Sequence, residues 1–189
     1  MKSLFASLSL GLLLGSGLSA AELSIQKTDG GDVDVLIDGE LFTRYLTDDE
    51  GSNKPYFWPV IGPTGERMTR AYPMEDIEGE KQDHPHHRSM WFGHQEVNGF
   101  DTWHEPMTMD ERYKGKDPAD KEAALGILGA TVNTAIEKAD MVDGKAVLET
   151  LSAYRGPKGD TLMEDQRTFT FSVDEETGSR IMDVVLTFK

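Results

Sequence analysis

The chain has 189 residues, 34 acidic against 19 basic, a formal charge of −15 and no cysteine. That balance argues against nucleic acid and anionic lipid as partners. The absence of thiols removes disulfides, thiolate metal ligands and cysteine nucleophiles from consideration.

The chain opens MKSLFASLSLGLLLGSGLSAAELS, with Lys2 before an apolar run from Leu4 to about Leu14 and a small-residue stretch ending Ser19-Ala20-Ala21. This is the layout of a secretory signal peptide, and the run is short for a bilayer. Cleavage after Ala21 is expected, leaving a single domain over residues 22–189 in the periplasm or outside the cell. No later segment approaches spanning length, so no membrane span is expected.

Past the signal, "DGGDVDVLIDGELFTRYL" alternates Val33, Val35 and Ile37 against Asp32, Asp34 and Leu36, then turns at Asp38-Gly39, which reads as a hairpin. "KPYFWPVIGPTGERMTRAYP" carries Pro55, Pro59, Pro63 and Pro73, a density compatible only with edge strands and ordered loops. Residues 105–124 are polar and aperiodic and read as an exposed connection, with one short helix starting at Asp117-Pro118. Four strand-like segments follow at about 126–138, 145–155, 161–173 and 180–188, separated by Asp143-Gly144, Gly156-Pro157-Lys158-Gly159 and Glu176-Thr177-Gly178. The expectation is an all-β fold, an antiparallel β-sandwich. The last strand stops without a turn or polar tail, as in a domain that continues.

All five histidines fall within residues 84–104. In "DHPHHRSMWFGH", Pro85 is expected to keep His84 extended, so that His84 and His86 project one way and His87 the other. Such a cluster needs many hydrogen-bond partners, and Arg88 lies beside it. In "HQEVNGFDTWHE", Asn98-Gly99 signals a two-residue hairpin turn pairing Val97 with Phe100, Glu96 with Asp101 and His94 with Trp103. Glu96, Asp101, His94 and Trp103 would then share a face, and the opposed carboxylates call for a proton or cation between them: His94, Arg88 or a metal.

Three readings fit this window. Metal-free acid/base chemistry would use the histidines near neutrality, with arginine gripping an oxyanion or hydroxyls. Histidine with carboxylate also suits zinc, copper or iron, but HxHH in an extended segment matches no ligand signature, and the residues name no cofactor. Structural polar packing at a sheet end is the third. Trp91 and Trp103 beside polar groups suit a carbohydrate.

"KPYFWPVIGPTGERMTRAYP" followed by "DHPHHRSMWFGHQEVNGFDTWHE" resembles the exported bacterial family labelled methane oxygenase PmoA, and the likeness continues weakly through "EDQRTFTF" and "RIMDVVLTF". The resemblance implies a sandwich like galactose mutarotases and sugar-binding sandwiches, of which this chain is roughly the N-terminal two thirds. The membrane methane monooxygenase subunit of similar name is a multi-span protein, which this chain cannot be. Carried over by motif, the functional positions are His84, His86, His87, Arg88, His94, Asn98, Asp101 and Trp103. The expected catalytic set is His84, His86, His87, His94 and Asp101, with Arg88, Glu96, Asn98, Trp103 and His104 binding substrate. The expected function is acid/base chemistry on a sugar or sugar derivative, with a small molecule or glycan as ligand. The alternatives are a metal-dependent oxidoreductase using the histidines and a non-catalytic glycan-binding module.

Overall fold

In the computed structural model, residues 21–189 are described; the segment read as a signal peptide lies outside them apart from Ala21. Of the described residues, 45% are strand and 9% helix, which makes the class all-β as expected. The first sheet has the order β1 (Leu23–Lys27), β2 (Val33–Ile37), β3 (Glu40–Leu46) and β4 (Tyr56–Val60). Its central hairpin forms as the alternation predicts: Asp38 and Gly39 take φ of 53° and 79°, the positive values a two-residue turn requires. Proline-bearing β4 sits at a sheet edge, where a missing N–H is tolerated.

A small hairpin follows, β5 (Glu96–Val97) with β6 (Phe100–Asp101), then helices α1 (Pro106–Arg112) and α2 (Pro118–Leu125). The second sheet is the expected antiparallel meander, β7 (Ala130–Val142), β8 (Lys145–Arg155), β9 (Thr161–Val173) and β10 (Arg180–Phe188). Strand β7 begins later than expected because the chain turns from the α2 cap at Gly126, where Leu128 N donates to Leu125 O at 3.1 Å. No helix among the described residues is long and apolar enough to cross a membrane.

The two sheets face each other across one core. Val33, Val35, Ile37, Phe42, Tyr45 and Phe57 meet Ala146, Leu148, Phe169 and Phe171, each such large apolar side chain contributing about 1.5–3 kcal/mol on burial. Along β8 and β9 the inner face changes character. Ala146 and Leu148 pair with Phe171 and Phe169, but Thr150 and Ser152 pair with Arg167 and Asp165. The latter four are at most 1% exposed. The polar half of this interior lies toward the hairpin: Asn98 Nδ2 donates to Leu162 O at 3.1 Å, and Asp101 bridges Leu128.

Residues 105–124 correct the expectation of an exposed connection. Pro106 starts α1, suiting the first turn of a helix, and Glu105, Thr108 and Met109 are buried. Glu105 is fully buried because two cations lie against it, a tertiary partnership that local polarity does not reveal.

Candidate functional site

The histidine segment is a tight turn, not an extended strand. His87 N donates to His84 O at 2.9 Å, and Pro85 occupies the second turn position, where its fixed φ is favourable. His84 has φ of 50°. The turn gathers the rings that an extended chain would split: His84 and His87 stack at 5.1 Å and 15°, and His86 meets His87 edge-on at 4.4 Å.

The three imidazoles then diverge in environment. His84 is exposed, with Asp83 3.5 Å from its Nδ1. His86 is 4% exposed and hydrogen-bonds through Nδ1 to Thr108 Oγ1 at 3.0 Å. Burial, aided by charge on His87, His104 and Lys54, pushes its pKa down to about 3, so it is neutral near pH 7. His87 is exposed; partial burial first, then the neighbouring His84, Arg70 and Lys54, lowers its pKa as well.

The predicted hairpin register holds, with Glu96 opposite Asp101 and Val97 opposite Phe100, and Asn98 and Gly99 take φ of 52° and 85°. One more backbone bond, from Thr102 N to Gln95 O at 3.3 Å, follows, and the pairing ends there. Asp101 Oδ1 accepts from the backbone N–H of Trp103 and of His104, both at 3.0 Å, and this turn peels Trp103 away from His94. Asp101 Oδ2 lies 2.7 Å from His104 Nδ1. Arg112 Nη2 can only donate to His104 Nε2, at 3.1 Å, so Nδ1 carries the proton shared with Asp101. The carboxylate of Asp101 is thus satisfied by three N–H groups rather than by a cation shared with Glu96, which is exposed. His94 is also exposed and contributes its carbonyl, accepting from Thr102 Oγ1 at 2.5 Å.

Arg88 is likewise not between those carboxylates. It is 3% exposed; its Nε donates to both oxygens of Glu105 at 2.9 Å, and its Nη1 to Asp49 at 3.1 Å. Lys54 completes the cluster, 3.3 Å from Glu105 and donating to Trp103 O at 2.7 Å and His86 O at 3.3 Å. Its Nζ also lies 4.1 Å from the centre of the Trp91 ring, a cation–π contact. Burial lowers the Lys54 pKa to about 8 against the opposing pull of Glu105. Lys54, Glu105 and Asp49 were not among the expected site residues. The signal present in sequence was faint: a lysine and an acid, each beside a proline, at the ends of the aromatic-rich segment.

Above this buried base is an open concavity of about 520 Å³ lined by His87, Ser89, Trp91, Phe92, Gly93 and Trp103. Trp91 and Trp103 meet edge-on at 4.7 Å, and Trp103 lies 5.9 Å from His87. Gly93 is required where it stands, since an added Cβ would fall 1.7 Å from Trp91 Cζ3. Of the expected residues, His87 and Trp103 line this concavity. His86, His104 and Asp101 form a contiguous layer behind it, with His86 and His104 rings 4.7 Å apart. Glu96 and Asn98 lie away at the hairpin, and Arg88 is committed below.

Among the described residues, no group of three or more histidine, aspartate or glutamate side chains is disposed to hold a metal ion.

Fold and site together define an antiparallel β-sandwich with a tryptophan- and histidine-lined concavity at one end. Residues 32–189 match the family model described as a family of unknown function, DUF6807, and the chain belongs to that family. No match to it is found among curated proteins or among solved structures.

Proposed function

We propose that this chain is an exported carbohydrate-directed protein that holds a sugar or sugar derivative in the concavity and acts on it by acid/base chemistry. The observation that carries this reading is the lining itself: two tryptophan rings set beside an imidazole and a serine hydroxyl, the mixture of apolar faces and hydrogen-bonding groups that suits a polyhydroxyl ligand. His87 is the acid/base candidate in reach of the ligand. The Asp101–His104 pair and His86 stand behind it as positioning groups. The resemblance of residues 54–105 to the PmoA family, with its likeness to mutarotase-type sandwiches, agrees with this reading, as does the signal-like N-terminus.

A second reading has one specific observation in its favour. The concavity lining contains a single titratable side chain and no carboxylate, whereas general acid/base work on a sugar ordinarily uses a pair. A non-catalytic glycan-binding module needs only the aromatic faces and hydrogen bonds. A glycan array followed by product analysis on every glycan bound separates the two. Binding lost in Trp103→Ala, with turnover lost in His87→Ala, supports the enzyme; binding with unchanged glycans supports the module. No glycan binding by the folded protein overturns both.

A further inference from the structure

The second sheet ends on an uncovered strand. β10 pairs with β9 on one side in an unbroken register, and no strand among the described residues lies along its other side. Lys189 N donates to Glu164 O at 2.9 Å. Because the bonding groups of an antiparallel strand alternate in direction, those of residues 181, 183, 185 and 187 also turn toward β9. The N–H and C=O groups of Met182, Val184, Leu186 and Phe188 therefore point away from the sheet, a row open to pairing.

A proline or a bulge would blunt such an edge, and β10 has neither. It exposes apolar side chains on both faces instead. Val184 and Phe188 lie on the face toward the first sheet and Ile181 and Val185 on the other, with Val185 62% and Phe188 48% exposed. Asp183 and Lys189 are also exposed, and neither enters an ion pair among the described residues.

These features suit a second β10. For the free N–H and C=O groups of two antiparallel copies to meet, even-numbered residues must lie opposite even-numbered ones. Several registers satisfy that condition, and charge separates them. Setting Met182 against Val184 opposes Asp183 to Asp183, a destabilising pair. A two-fold axis at Leu186 sets Asp183 against Lys189 at both ends, Val184 against Phe188 and Val185 against Thr187, with no like charges opposed. Backbone bonds are then exchanged between Val184 and Phe188 and between the two copies of Leu186. We propose that β10 is a self-complementary interface, at which a second copy of this chain pairs antiparallel through residues 183–189 and joins the second sheets of both into one. Phe92, in the wall of the concavity, lies 5.8 Å ring to ring from Phe188, so this interface adjoins the site.

Sedimentation velocity on the purified protein at neutral pH, over a range of concentrations, tests this, and a monomer–dimer equilibrium is expected. Asp183→Lys opposes lysine to lysine at both ends and should raise the dimer dissociation constant about tenfold or more. Lys189→Asp should do the same. Combining the two changes reverses each pair and should restore the parent affinity. Both side chains are exposed, so folding is not at stake. A protein that stays monomeric up to about 500 μM overturns the proposal. So does a dimer indifferent to Asp183→Lys, a double variant that fails to recover, or assembly that grows beyond the dimer. A monomer that instead takes up an added valine-rich extended peptide along β10 would assign the edge to a foreign strand and overturn it too.

Discussion

Replacing Asp101 with asparagine distinguishes the observed geometry from the opposed-carboxylate arrangement that the hairpin register alone suggests. Asparagine keeps one acceptor oxygen for the backbone N–H groups of Trp103 and His104, now at 3.0 Å from Oδ1. It sets an NH2 against His104 Nδ1–H, however, and reversing the tautomer would point Nε2–H at Arg112, itself a donor. One charge-assisted bond is lost either way, worth about 2 kcal/mol. In a domain of this size that corresponds to a fall in Tm of about 4–8 °C. Burial works to raise the Asp101 pKa but is outweighed by the backbone N–H and ring of His104 and the N–H of Trp103, so the folded value lies below the ordinary carboxylate range. A depressed carboxylate pKa stabilises above the unfolded value and loses that contribution as pH falls through the folded one. The melting curves of parent and variant should therefore differ most at pH 7 and converge in acid. If Asp101→Asn melts at or above the parent at pH 7, repulsion with Glu96 dominates and the reasoning fails.

Glu105→Gln removes the fully buried charge shared by Arg88 and Lys54 and should lower the unfolding free energy by about 3–5 kcal/mol in urea titrations, because two cations remain without their acid. Lys54, whose pKa is lowered to about 8, binds fewer protons in the folded than in the unfolded state above that pH. Stability of the parent should rise from pH 8 toward 10 relative to Lys54→Met, and nitrogen-detected NMR should show one lysine titrating near 8. Gly93→Ala places a methyl group 1.7 Å from Trp91 Cζ3 and forces the ring off the backbone. A loss of about 1–3 kcal/mol is expected, with a shifted tryptophan emission spectrum.

Local signals made the sheets readable in sequence. Two-residue alternation in Val33–Ile37 and the left-handed turn pairs Asp38-Gly39, Asn98-Gly99 and Asp143-Gly144 specify strand, face and register within a few residues, and the structure follows them. The site was legible as a window but not as an arrangement. Pro85 permits both an extended chain and a turn, and the carbonyl of His84 decides between them by accepting from His87. Arg88 could have faced any acid in the chain; its partners Asp49 and Glu105 lie 39 and 17 residues away. Glu105 looked like part of a solvated run because its neighbours in sequence are polar, while its neighbours in space are Lys54 and Arg88. Long-range ion pairs leave no periodicity, so buried charge is the feature that sequence pattern reports least well.

That buried charge bears on how the concavity presents itself. Arg88, Glu105, Asp49 and Lys54 lock one another beneath the tryptophans, and Lys54 ties the carbonyls of His86 and Trp103 to the same base. The rings above are thereby held by groups that a ligand need not touch. The positive charge of Lys54 and Arg70, with His84, also acts on His87 from below and beside, favouring its neutral form. A neutral imidazole both donates and accepts, whereas an imidazolium only donates. Burial first, and these charges after it, thus favour the form of His87 that the proposed acid/base role on a bound hydroxyl would need, with Trp91 and Trp103 supplying the faces.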